Sequence, residues 1–180
     1  AGGTPTAADL GMNTTGTVLQ VKATTLTGRY SISNQSDTGA GTDIGLNVTI
    51  TPKSSSSQFL ITVNVGAAGT TGVSWGAILS RNNSKIGHGD THAGYSGGVL
   101  FRGCWVGHLD YNHTQGGGSG QYLDTTSGTV GTAITYRCGF GIQNNGGTLR
   151  INSDYNQYTG SHSFAHSTSV STITVMEIEG

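Results

Sequence analysis

Asn47-Val-Thr-Ile-Thr-Pro52-Lys-Ser-Ser-Ser-Ser57-Gln-Phe-Leu-Ile-Thr-Val-Asn-Val-Gly66 is the stretch whose reading decides the fold. Val48 and Ile50 alternate with Asn47, Thr49 and Thr51, the period of a half-buried strand. Pro52 has no amide hydrogen for a ladder and ends that run. Beyond four serines, Phe59, Ile61, Val63 and Val65 form a second apolar row, with Leu60, Thr62 and Asn64 on the opposite face. The expectation is a β-hairpin closed by a long, solvated serine loop, and hence an all-β protein.

Working outward, Thr17–Leu26 alternates, with Val18, Gln20, Lys22 and Thr24 facing one way and Leu19, Val21, Ala23 and Thr25 the other. Tyr30 and Ile32 mark a short strand. Trp75, Ala77 and Leu79 share one face of Val73–Arg81, and Asn82-Asn83-Ser84 has turn chemistry leading to Lys85 and Ile86. Val99–Val106 and His108–Thr114 read as further strand segments, and Gly116–Gly120 as a break. Ile134, Tyr136, Cys138 and Phe140 are in step, and Asn144-Asn145-Gly146-Gly147 reads as a hairpin turn before Thr148–Asn152. In Ser171–Ile178, Ile173, Val175 and Glu177 alternate with Thr172, Thr174, Met176 and Ile178. Eight to ten short antiparallel strands with Gly/Ser/Thr-rich loops and no amphipathic helix predict a β-sandwich or jelly roll. Residues 1–16 read as an N-terminal arm or linker, and residues 17–180 as a single domain.

Composition narrows the function classes. Charged residues are 9% of the chain, against about 25% in ordinary globular proteins, and 31 glycines with Ser, Thr and Asn supply the polarity. The net charge of −1 lacks the clustered Lys and Arg that nucleic acid requires. No apolar run is long enough for a transmembrane helix, so no membrane insertion is expected. The first residues lack the basic and apolar regions of a signal peptide.

Cys104 and Cys138 are too few for a disulfide framework. They read either as one bridge or as two small buried thiols. His88-Gly89-Asp90-Thr91-His92 would aim three ligand types one way from an extended segment. Histidines in glycine-rich loops are as readily solvated side chains, so no metal and no cofactor is expected. The carboxylates show no paired acid and base motif; only Glu177 and Glu179 lie close in sequence. With neither a Gly-x-Ser-x-Gly elbow nor a phosphate loop present, no enzyme is expected. Sugar sites pair an aromatic platform with amides and hydroxyls. Tyr95, Trp105, Tyr111, Tyr155 and Tyr158 are therefore glycan-binding candidates, against a reading as rings that lid the ends of the sandwich.

Six segments in order resemble a domain found at the C-terminal ends of bacteriophage tail-fibre and related virion proteins, notably of marine cyanophages. They are Ile50–Ile61, Leu79–Gly87, Gly120–Asp124, Ala133–Tyr136, Gly147–Asn152 and Ser171–Ile178. The resemblance implies a β-sandwich on a virion surface, assembled in the host cytoplasm as a homotrimer beside other virion proteins and used in host attachment to surface polysaccharide. Thr125-Thr126-Ser127-Gly128 departs from the Ser-Pro usual there, which implies a different loop. Two other classes remain open: a secreted or cell-surface lectin-like carbohydrate-binding module, and an extracellular filament subunit joined through residues 1–16.

Overall fold

Strands with one apolar row need a facing surface, and this chain supplies it with two antiparallel sheets around one core. The computed structural model describes residues 15–33, 40–69, 73–89, 105–109, 115–142, 147–153 and 169–180. Among them are eleven strands and no helix: β1 (Val18–Leu26), β2 (Tyr30–Ile32), β3 (Asn47–Ile50), β4 (Gln58–Gly69), β5 (Val73–Arg81), β6 (Ser84–Lys85), β7 (Trp105–Leu109), β8 (Gln115–Asp124), β9 (Ile134–Ile142), β10 (Leu149–Ile151) and β11 (Ser171–Ile178). The first sheet runs β1-β11-β4-β10-β2, with β8 on β4; the second runs β3-β9-β5-β6, with β7 on β5. Along β4, residues 58–64 pair with β11 and residues 67–69 with β10, while β8 lines the other edge.

The core joins both sheets. Phe59, Ile61, Val63, Ile173 and Val175 from the first meet Val48, Ile50, Trp75, Leu79, Tyr136 and Phe140 from the second. All are buried, and large side chains of this kind contribute roughly 1.5–3 kcal/mol each on leaving water. The alternation expected in β11 holds across its whole length, Glu177 falling in the inner row.

The expected hairpin over 47–66 does not form. β3 pairs with β9 in one sheet and β4 with β11 and β8 in the other, so the serine stretch crosses between sheets. Both apolar rows do face inward, but they face the same core from opposite sides. The serine loop is also only partly solvated, because Ser57 is fully buried. The Asn144–Gly147 hairpin fails in the same way: β9 lies in the second sheet, whereas β10 pairs with β2 and β4 in the first. Asn82-Asn83 does make its turn, with φ of 48° and 67°, and closes β5 onto β6.

Two further readings change. Gly116–Gly120 does not break a strand but lies within β8, paired along β4. A Cβ at Gly118 would stand 3.0 Å from the Trp75 ring, so the missing side chain makes room for the indole. In β1, a bulge at Leu19 puts Val18 opposite Ile178 and Gln20 opposite Glu177. Val18 therefore shares a face with Val21 rather than with Gln20.

Gly139 of β9 faces the segment that crosses its outer side. A Cβ there would lie 1.9 Å from the Ala40 carbonyl oxygen, and backbone cannot swing away as a side chain can. Gly139→Ala is expected to cost about 1–3 kcal/mol, the range of overpacking. Urea unfolding followed by circular dichroism measures it.

Candidate functional site

The residues singled out in the sequence are only partly placed. Tyr95, Tyr111, Tyr155 and Tyr158 lie outside the described residues, as do Asp90, His92 and Cys104. Trp105 opens β7, in register with Ala77. His88 is exposed, its Nδ1 3.0 Å from the Gly89 carbonyl oxygen. Among the described residues, no three His, Cys, Asp or Glu side chains gather into a metal-binding group. Cys138 is buried in the core. Residues 1–14 of the expected arm lie outside the described residues; at its end, the Gly16 amide donates to the Glu179 carbonyl at 2.7 Å.

Three buried polar groups, none of them anticipated as a site, hold the scaffold. Asp124 at the end of β8 accepts from Arg81 Nη1 at 2.8 Å, from the Tyr136 hydroxyl at 2.7 Å and from the Thr126 amide at 2.9 Å. This ties β8 of the first sheet to β5 and β9 of the second. Arg81 also donates to the carbonyls of Thr126 and Ser127, and its guanidinium lies 5.9 Å from the Phe59 ring centre. Burial, reinforced by the hydrogen bond to Asp124, pushes the Tyr136 hydroxyl far above the ordinary tyrosine range, so it stays a donor.

Glu177 is the second. Its Oε1 accepts from the Lys53 amide at 2.6 Å, the Ser54 amide at 3.4 Å and the Ser57 hydroxyl at 2.5 Å, and its Oε2 from Gln20 Nε2. Burial alone would raise this carboxyl; the donors from Ser57, Gln20, Lys53 and Ser54 outweigh it and hold the acid below its usual value of 4.5. The serine crossover is thus a built carboxylate nest.

Asn152 is the third, a plug where β10 and β11 succeed one another along β4. Its Nδ2 donates to the carbonyls of Leu26 at 2.7 Å and Gly28 at 3.1 Å, and its Oδ1 accepts from Ser171 Oγ at 2.7 Å. Its φ of 56° is one that asparagine tolerates. These groups are enclosed and satisfied, which marks them as architecture.

The surfaces differ. On the outer face of the second sheet, a polar groove of about 450 Å³ is lined by Asp43, Asn47, Thr49, Asn82, Asn83, Thr135 and Arg137. β3 and β9 position it, because Asn47 opposes Arg137 and Thr49 opposes Thr135 while their inward neighbours fill the core. The Thr49 and Thr135 hydroxyls are 2.9 Å apart. The β5–β6 turn is pinned alongside: the Asn82 amide donates to the Thr135 carbonyl, and Asn82 Oδ1 accepts from the Thr135 amide, both at 2.9 Å. Asp43 accepts from Arg137 Nη1 at 3.0 Å and from the Gly45 amide at 2.8 Å. Arg137 Nε is buried with no partner among the described residues.

The outer face of the first sheet carries an apolar row instead. Val21, Met176, Leu60 and Leu123 are register neighbours across β1, β11, β4 and β8. Val21 is 51% and Leu123 42% exposed, and Val18, at 48%, lies beside them through the β1 bulge. The rows to one side are polar: Thr174, Thr62 and Gln121, then Thr172, Asn64 and Ser119. The cue was present in the sequence as Leu60, Met176 and Ile178 in outer rows whose other members are polar, but only register brings Leu60 and Met176 together.

A scan against protein-family models matched none of them, and no curated protein matches the chain.

Proposed function

We propose that this chain is a phage virion structural protein, a jelly-roll sandwich at a fibre, tip or capsid surface, whose copies join as a homotrimer through the outer face of the first sheet. The observation that carries the reading is the nesting of the strand pairs. β1 pairs with β11, β3 with β9, β4 with β8, and β5 with β7, as in one long hairpin rolled around a core. β2, β6 and β10 are short additions to it. Jelly rolls of this kind serve in viral capsids and in lectins. Fold alone does not choose between those; the resemblance to virion fibre domains favours the first. The apolar row Val21–Met176–Leu60–Leu123 supports self-assembly, since exposed apolar patches rimmed by polar residues mark interaction sites.

Size-exclusion chromatography with light scattering tests it. The expected species is a trimer, and Val21→Asp with Leu123→Asp is expected to yield monomers. At such exposed positions the change is expected to leave each chain folded, with the β-sheet circular-dichroism signal of the wild type. A wild-type chain that stays monomeric at all concentrations would overturn the assembly reading. The lectin-like module is kept as a second reading because of the polar groove.

A further inference from the structure

We infer that the groove on the outer face of β3 and β9 binds a neutral saccharide through vicinal hydroxyls, held between Asp43, Arg137, Asn83 and the Thr49–Thr135 hydroxyl pair. The volume, about 450 Å³, suits one or two sugar rings. Its groups are those that a diol requires. The Asp43 carboxylate is half-exposed, with 47% side-chain exposure, and can accept from two adjacent hydroxyls. Arg137 lies beside it, with Nη1 on Asp43 at 3.0 Å, and its guanidinium has further N–H donors to offer a hydroxyl. The Asn83 amide lies on a turn fixed in the left-handed region and hydrogen-bonded to β9 through Asn82, so it is positioned before a ligand arrives.

Charge selects against the other ligand classes. Among the described residues of the lining, the one guanidinium is paired with the one carboxylate at 3.0 Å, leaving no net charge to attract phosphate, sulfate or an acidic sugar. The described residues of the lining include no large apolar side chain, so a hydrophobic peptide anchor has nothing among them to fill. Without an aromatic platform among these residues, affinity rests on hydrogen bonds, and millimolar binding to a single sugar is expected. Several copies on one particle would raise this by avidity. The inference rests on the lectin-like reading of this groove and deepens it. It is nonetheless read out on sugar binding alone, so a monomeric chain that binds sugar would sink the assembly reading and leave this one standing.

The test is a 1H–15N NMR titration of the intact chain with methyl α-mannopyranoside, methyl β-galactopyranoside and methyl α-glucopyranoside, and with glucuronic acid as the charged comparison. The expected result is saturable shifts for at least one neutral glycoside at the amides of Thr49, Asn82, Asn83 and Thr135. Asp43→Asn is expected to weaken binding at least tenfold. It keeps an oxygen for the Gly45 amide, so the local turn persists. Asn83→Gly is expected to weaken binding several-fold while its left-handed backbone is retained. Shifts confined to other surfaces, an absence of saturable shifts with all three glycosides, or full binding by Asp43→Asn would each overturn the assignment. Tighter, salt-sensitive binding of glucuronic acid would overturn the neutral-ligand class.

Discussion

Arg81→Ala is expected to lower the unfolding free energy by about 3–5 kcal/mol, the cost of stranding one partner of a buried ion pair. Asp124 is 3% exposed and would be left with only Tyr136 and the Thr126 amide to satisfy it. The loss also removes the guanidinium from the Phe59 ring and two hydrogen bonds to the carbonyls of Thr126 and Ser127. The three residues bridge the two sheets, so the effect falls on global unfolding and not on local fraying. Urea denaturation measures it, with a lower midpoint and an unchanged slope as the signature. Tyr136→Phe leaves Asp124 paired with Arg81 and is expected to cost about 1 kcal/mol. A loss below about 1 kcal/mol for Arg81→Ala would show that the pair contributes no more than a surface bridge.

Acid stability is expected to depend on Glu177. Its folded-state acidity is held below the ordinary value of 4.5, so the unfolded chain takes up the proton first as pH falls. The stabilisation is fully present above the unfolded value and is lost as pH drops through the lower folded value. Glu177→Gln keeps the shape but turns an NH2 group toward donors from Gln20, Lys53 and Ser57. At pH 7 it is expected to cost about 2 kcal/mol, or about 4–8 °C in melting temperature for a chain of this size. The gap from wild type should close as the pH falls below the carboxylate range. Melting curves from pH 2.5 to 7 read this directly. A gap that stays constant with pH would show that the charge of Glu177 plays no part.

The groups behind both predictions were legible only as residue types. Glu177 stands in the inner row of β11 by simple alternation, yet nothing in Lys53-Ser54-Ser55-Ser56-Ser57 announces that its amides and hydroxyls converge on it across 120 to 124 positions of chain. Asp124 and Tyr136 are 12 residues apart, but Arg81 joins them from 43 residues upstream of Asp124. Asn152 likewise reads as an ordinary turn residue until β1, β4 and β11 meet around it. The candidate groove was hidden for a further reason: Asn47, Thr49, Thr135 and Arg137 are the ordinary polar halves of two alternating strands. The sequence points instead to aromatic loop residues as glycan candidates, and most of those lie outside the described residues.

By itself, then, the stretch 47–66 determined that the protein is built of strands and which sides of β3 and β4 face inward. Alternation is a local property of an extended backbone, so β3, β4, β9 and β11 could be read with their apolar rows in place. Which strands pair was decided only in three dimensions. A turn sequence such as Pro52–Ser57 or Asn144–Gly147 permits a reversal but equally permits a crossover, and the choice goes to whichever arrangement buries the most apolar surface. Here two inward rows that a hairpin would set side by side bury more by facing each other across the core.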